Sequence, residues 1–383
     1  MKSSSHLLYA LLSAALLLLA FQRCSDDTPT EPPPDDNDTT AVHQQQDTTS
    51  HDITWEVFEF GPAGPNHSVI RDIYALNDTC VWAVGEIVNE HAHEVDSLGR
   101  WDQHYNAVHW NGKEWTLHRI NAEKTWWGVP SYKALFSVYL FEDGTNLAVD
   151  QVGQLQFWNH KDTLKKITPQ GTRRGSIYKI WGTSPDNIYL AGSNGSLTHY
   201  TNGQFRLIET WTDVPLNGIY GLDDHRIWTG GYTNTPPARG AFFRIKDGFS
   251  FPRWSPNLYG ASAIYAFGDS LYTFNGRGFC IRSINDTSHW RYVEGESFAD
   301  EIGWIEAMRG TGHNNIFAAG HFKTLIHYNG ISWRMLFPFT SANKYTEEHR
   351  VVFYAVTVTE RNVYAAGVNN VSGQAVIYKG TLR

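Results

Sequence analysis

The chain has 383 residues and a formal net charge of −8, with 33 glycines, 15 tryptophans, 19 tyrosines, 20 phenylalanines and only 3 cysteines. The acidic balance excludes sequence-independent nucleic-acid binding, which needs a basic footprint. The length allows a large core, and the glycine and aromatic load suits sheets and turns more than helices.

Residues 1–23 read as a targeting segment. Lys2 supplies a positive start, and Leu7 to Phe21 form an apolar run of about 15 residues, too short to span a bilayer comfortably. Gln22-Arg23-Cys24 closes it. The segment resembles a bacterial lipoprotein signal, which implies Cys24 as the lipidated residue; Gln22 and Arg23 depart from the small residues usual before that cysteine. Ordinary cleavage near this point and an uncleaved anchor are the alternatives. Residues 24–51 are acidic, rich in Pro and Thr and poor in large apolar residues, so they cannot offset the cost of ordering and are expected to form an extended tether. Ser25-Asp26-Asp27 also resembles the acidic export signal of surface-displayed lipoproteins.

From residue 52 onward one unit repeats. Apolar runs close at Gly85 (VWAVG), Asp150 (NLAVD), Gly192 (IYLAG), Gly231 (IWTGG), Asn275 (LYTFN), Gly320 (IFAAG) and Gly367 (VYAAG), at spacings of 65, 42, 39, 44, 45 and 47 residues. Apart from the first, these match the roughly 40–50 residues of a four-stranded propeller blade. Each copy ends its third strand in a hairpin such as "THYTNGQF" or "IHYNGISW", where Asn-Gly and Asp-Gly pairs accept positive φ. The seventh copy stops at Arg383, too early for an outer strand, and "TWEVFEF" (54–60) matches the fourth-strand segments "EWTLHRI" and "SWRMLFP". The predicted fold is therefore all-β, a seven-bladed β-propeller of four-stranded blades over 52–383. An N-terminal strand completes the last blade and protects its edge.

The repeat resembles that of bacterial seven-bladed propellers built from an "IWAVG…G…HYNG…W" unit, often on lipoproteins. That resemblance implies the fold and leaves the activity open, because propellers host enzymes, binding modules and scaffolds alike. Chains of this kind sometimes carry a glycosyltransferase label, yet no nucleotide-sugar motif or doubly wound βα pattern stands in this sequence.

Three features rise above the repeat. The 65-residue spacing reflects an insertion, "EIVNEHAHEVDSLGRWDQHYN" (86–106), in which His91, His93 and Glu94 are candidate metal ligands. A solvated loop would carry the same residues. Aromatic side chains mark the blade-to-blade connections: Trp126, Trp127 and Tyr132, then Trp211, then Tyr345. Exposed, they suit stacking on sugars or anchoring a protein; folded back, they would be core. His109, His199 and His327 share one repeat position, and the ring geometry keeps them apart, so local hydrogen bonding is their expected role.

Near the axis the innermost strands carry Asp72, Ser137, Lys179, Gly218, Ala263, Ala307 and Tyr354, two positions before an aromatic column. Asp72 and Glu306 are the carboxylates that could serve acid–base work there; salt bridges between blades are the competing expectation. Cys80 and Cys280 fall in non-adjacent units and are expected to be buried free thiols.

These features favour a binding or interaction module over an enzyme, with no catalytic residue assigned and no cofactor. The ligand is a glycan or an envelope protein, taken at the loop-bearing rim. The chain is expected outside the cytoplasm, a monomer held to the outer membrane or cell surface through a lipid on Cys24. The alternative is a carbohydrate-active enzyme, hydrolase or transferase, using carboxylates of the central pocket.

Overall fold

Each apolar run that closes on the aligned residue forms the second strand of a four-stranded antiparallel sheet, and seven such sheets are present. The computed structural model describes residues 48–65, 67–89, 104–120, 123–124, 130–159, 163–169, 174–233, 239–252, 261, 263–275, 278–285, 291–292, 302–340 and 342–383. All of them lie in one unit that begins at Gln46.

Blade one runs Val69–Asn77, Cys80–Ile87, Tyr105–Trp110 and Trp115–His118. Blade three, the most regular, runs Ile177–Ser184, Asn187–Gly192, Leu197–Thr201 and Gln204–Leu207. Blade seven takes Val351–Val358, Asn362–Asn369 and Ala375–Leu382 from the C-terminus and Ile53–Phe60 from the N-terminus. The N-terminal strand pairs antiparallel with the last strand from Ile53↔Leu382 to Phe60↔Ala375. Ring closure by an N-terminal strand is thus as the sequence predicts.

The core is divided into seven apolar slabs, one at each blade–blade interface. The slab between blades one and seven contains Ile70, Val81 and Trp110 against Tyr364, Ala366 and Ile377. Because both faces of the inner strands are covered, they read as near-continuous apolar runs rather than alternating ones.

Polar staples join the blades at the rim formed by the first-to-second and third-to-fourth strand turns, called here the turn rim. Asp224 of blade four accepts from the Thr183 hydroxyl and Asn187 amide of blade three, each at 2.6 Å. Asp78 of blade one accepts likewise from Thr359 and Asn362 of blade seven. The short loops "TSPDN" and "TERN" thus have a structural function.

At the other rim, the connection rim, the turns between second and third strands bond to the chain entering the next blade. Gly195 N donates to Val214 O at 3.1 Å, and Lys323 N donates to Val351 O at 2.7 Å. The aligned glycines explain this packing. A Cβ on Gly85, Gly192, Gly231 or Gly320 would lie 1.9 Å from the carbonyl oxygen of Val69, Ser176, Pro215 or Trp304. In blades one, three and six the first strand is also bulged beside this contact, between Ile70/Asp72, Ile177/Lys179 and Ile305/Ala307.

The bulge corrects one sequence assignment. In blade seven Ala355 pairs with Ala366 and Thr357 with Tyr364, so Ala355, not Tyr354, stands in the innermost column. Tyr354 is the bulged residue. Neither Cys80 nor Cys280 is in a disulfide, but only Cys280 is buried; Cys80 is half-buried at a strand start, and burial pushes its thiol pKa up.

Candidate functional site

At the ring axis the chain must fit seven inner strands side by side, which favours small residues. Gly218, Ala263, Ala307 and Ala355 meet that demand, while Asp72, Ser137 and Lys179 use their polarity on one another. Lys179 Nζ lies 2.7 Å from Asp72 Oδ1; the Ser137 hydroxyl donates to Asp72 Oδ2 at 2.5 Å and accepts from Ile180 N at 3.2 Å. This relay ties blades one, two and three together. The expected inter-blade salt bridge is therefore present.

One level deeper, Tyr74, Tyr139, Trp181, Tyr220 and Tyr265 form a collar. Tyr74 and Tyr139 meet at 4.6 Å between ring centroids, and Tyr220 and Tyr265 at 5.4 Å. Blade six places Arg309 in this column. Its guanidinium lies 5.2 Å from the Tyr220 ring and donates to Met308 O at 2.8 Å. Burial raises the pKa of Tyr220 to about 12 and pushes Tyr74, Tyr139 and Tyr265 up as well. These hydroxyls keep their protons at neutral pH and serve packing. Above the collar the axial cavity measures about 20 Å³, room for roughly one water.

The bulges give this cavity its mouth. Five first strands carry a bulge near the connection rim, and the residues left out of the pairing there are Arg71, Phe136, Tyr178, Glu306 and Tyr354. They are half-buried and open toward the connection rim. The Arg71 guanidinium covers the Phe136 ring at 4.4 Å, and Glu306 Oε1 lies 2.9 Å from His321 Nε2. Tyr232 of blade four meets Trp304, at the start of blade six, with 3.9 Å between ring centroids. Of these mouth residues, Glu306 and Tyr354 are the ones that the sequence places near the axis. Phe136, Tyr178, Tyr232 and Trp304 also stand here, and no spacing or motif in the sequence marks them.

Around this mouth stand the connection-rim aromatics. Trp211 is 86% exposed at φ 55°, a conformation that an L residue with a bulky side chain rarely adopts. Its neighbours hold it there. Buried Thr210 donates to Gly195 O at 2.7 Å, Val214 is buried, and ion pairs Arg174–Glu209 and Arg239–Asp213 brace both sides of the loop. Tyr345 is 70% exposed, edge-on to Phe322 at 5.4 Å, with Lys344 Nζ 5.2 Å from its ring. Tyr132 is half-buried. Trp211 lies between blades three and four and Tyr345 between six and seven, so they share a rim but not one small pocket.

Trp126, Trp127, His91, His93, Glu94 and Cys24 lie outside the described residues. Among the described residues no group of three metal-ligating side chains converges.

The three repeated histidines lie apart, as expected, and their main contact is stacking. His109 packs on Trp82 (4.5 Å, 24°), His199 on Tyr189 (4.1 Å, 7°) and His327 on Phe317 (4.3 Å, 10°), each across a strand pair. Hydrogen bonding is added where partners exist: His199 Nε2 is 2.6 Å from Asn187 Oδ1. Burial, with Arg206 assisting, lowers the His199 pKa to about 4, and burial beside His51 lowers that of His327 to about 3. A base depressed below its unfolded value near 6.5 contributes stability above that pH and loses it as pH falls toward the folded pKa. Melting temperature should therefore fall between pH 6.5 and 4, with a shallower slope in a His199→Gln/His327→Gln variant. Thermal scans across that range check it; an unchanged slope would remove the histidines from the account.

No family model matches the chain, and no curated protein matches its sequence. Solved structures match the fold. One, described as "YCF48 bound to D1 peptide", superposes with a TM-score of 0.59 at 10% identity, over 89% of this chain and 99% of that one. Another, the WD40 β-propeller domain of Doa1, gives 0.57 at 10% identity, over 86% and 97%. The chain is a β-propeller with seven four-stranded blades.

Proposed function

We propose that this propeller is a binding module that takes a polypeptide ligand on its connection rim, across the axial mouth. Trp211 carries the reading. The fold gains nothing visible from an indole held outside the core in a left-handed conformation, and strain of this kind, about 1–3 kcal/mol, collects at functional positions. A pre-braced aromatic side chain contributes contact area at low entropic cost. The mouth beside it mixes Arg71 and Glu306 with Phe136, Tyr178 and Tyr354, a surface suited to a chain of mixed side chains. The structurally similar YCF48 is described with a bound peptide, which agrees with this choice.

The same proposal places the chain outside the cytoplasm, anchored through Cys24, within the lipoprotein-type propellers its repeat resembles. Binding is favoured over hydrolysis because Asp72 is committed to Lys179 and Ser137, and the axial cavity is too small for a sugar ring.

The test is a paired screen of wild type and Trp211→Ala against peptide arrays from envelope proteins and against glycan arrays. Wild type should select peptides, and Trp211→Ala should lose about 2–4 kcal/mol of binding with an unchanged melting temperature. Selection of glycans would move the ligand class, and full binding by the variant would move the site.

A further inference from the structure

The N-terminal strand runs from the turn rim toward the connection rim, because it fills the fourth-strand place of blade seven. The chain therefore reaches the propeller at the turn rim, where its last residues before the strand are pinned on blade six. The Thr49 hydroxyl donates to Asn314 O, and His51 Nδ1 lies 3.0 Å from His327 Nδ1, where one ring donates and the other accepts. His51 Nε2 is 3.3 Å from Ser332 Oγ, and Asp52 lies 3.8 Å from Arg334. Where residue 48 leaves the fold is thus fixed.

On the same rim, three consecutive blades present apolar side chains at or beside their turns. Phe249 of blade four is 62% exposed, Phe267 of blade five 40% and Ile331 of blade six 69%. The described turns of blades two and three at this rim carry Glu142, Asp143, Asp186 and Asn202 instead. The arc of blades four to six is also where the chain exits. Among the described residues its charges nearly balance: Arg206, Arg226, Lys246 and Arg334 stand with Asp52, Asp223, Asp224, Asp247 and Asp269. Apolar contact rather than charge must then decide what the arc touches.

We propose that this arc rests on a lipid surface, which turns the connection rim and Trp211 away from the membrane. The proposal rests on the reading that Cys24 holds the chain to a bilayer. Residues 24–48, if extended as a coil, span on the order of 27 Å, short enough to keep the rim at millimolar effective concentration near the bilayer. Three modest apolar contacts then suffice to select one face.

The experiment supplies the anchor chemically, so it does not depend on lipidation in the cell. Residues 24–383 in a Cys80→Ala background are joined through the Cys24 thiol to a maleimide lipid in phosphatidylethanolamine/phosphatidylglycerol vesicles with brominated chains. A dye is attached through an azide-bearing residue at Lys246 on the turn rim or at Asn370 on the connection rim. Quenching should be several-fold stronger at position 246 and unchanged by salt, and Phe249→Ser/Phe267→Ser/Ile331→Ser should erase the difference. Equal quenching at both positions, or a difference that survives the triple variant, would overturn the proposal. Loss of membrane fractionation in Cys24→Ser is a separate test, and its failure would strike only the anchor reading.

Discussion

Deleting residues 52–60 should unfold the propeller or lower its stability by more than about 5 kcal/mol, whereas deleting 25–45 should leave its melting temperature unchanged. The strand removed is paired along its whole length, from Ile53 to Phe60. Its aromatics also serve two different interfaces. Trp55 packs on Phe337 of blade six at 5.2 Å, while Phe58 and Phe60 pack on Trp115 of blade one at 6.2 and 6.1 Å. Truncating one fully buried aromatic costs roughly 3–5 kcal/mol, and here three half-buried ones go together with a strand's hydrogen bonds. Loss of the strand also bares the edge at Ala375–Leu382, so aggregation should accompany unfolding. Thermal denaturation of the two deletions side by side decides the matter. Equal melting temperatures would mean that the ring closes without its N-terminal strand.

The second large effect is expected at Asp72. Asp72→Ala leaves the Lys179 ammonium without its counter-charge and takes the acceptor from the Ser137 hydroxyl. Removing one partner of a fully buried pair costs about 3–5 kcal/mol; this pair sits at a wet mouth, so about 2–4 kcal/mol is expected. Asp72→Ala/Lys179→Met should recover more than half of that loss, because the stranded charge is gone. Urea denaturation of the single and double variants measures both. A loss in the double variant equal to the sum of the singles would show that Asp72 and Lys179 do not act on each other, and would return Asp72 to the candidates for chemistry.

The fold was legible because it depends on signals that repeat. Asn202-Gly203 takes φ 49° and 80° where the hairpin requires it, and the aligned glycines mark a close approach that excludes any Cβ. The complementary ends, Trp55 matching Trp115 and Trp333, announced closure. The mouth was less legible. Alternation along a strand cannot show where a bulge inserts a residue, so Tyr354 was placed one position out. Tyr232 and Trp304 come from blades separated in sequence by all of blade five, and no spacing rule brings them together. Trp211 was legible as an aromatic in a connection, but its positive φ was not. The sequence Thr-Trp-Thr gives no hint of it; the conformation follows from Thr210 and Val214 being pulled inward on either side. His109, His199 and His327 were correctly kept apart by ring geometry. Their stacking follows from the aromatic that sits across the strand pair, at Trp82, Tyr189 and Phe317.

The central claim is that ligand binds on the connection rim, over the axial mouth and against Trp211. Amide hydrogen exchange of the full chain, with and without a peptide selected by the array, tests it most directly. Protection is predicted in 193–196, 209–214 and 321–324 and in the connection at 340–350, with no change in the turn-rim segments 202–203 and 329–332. Protection confined to the turn rim, or spread along the outer strands, would contradict it.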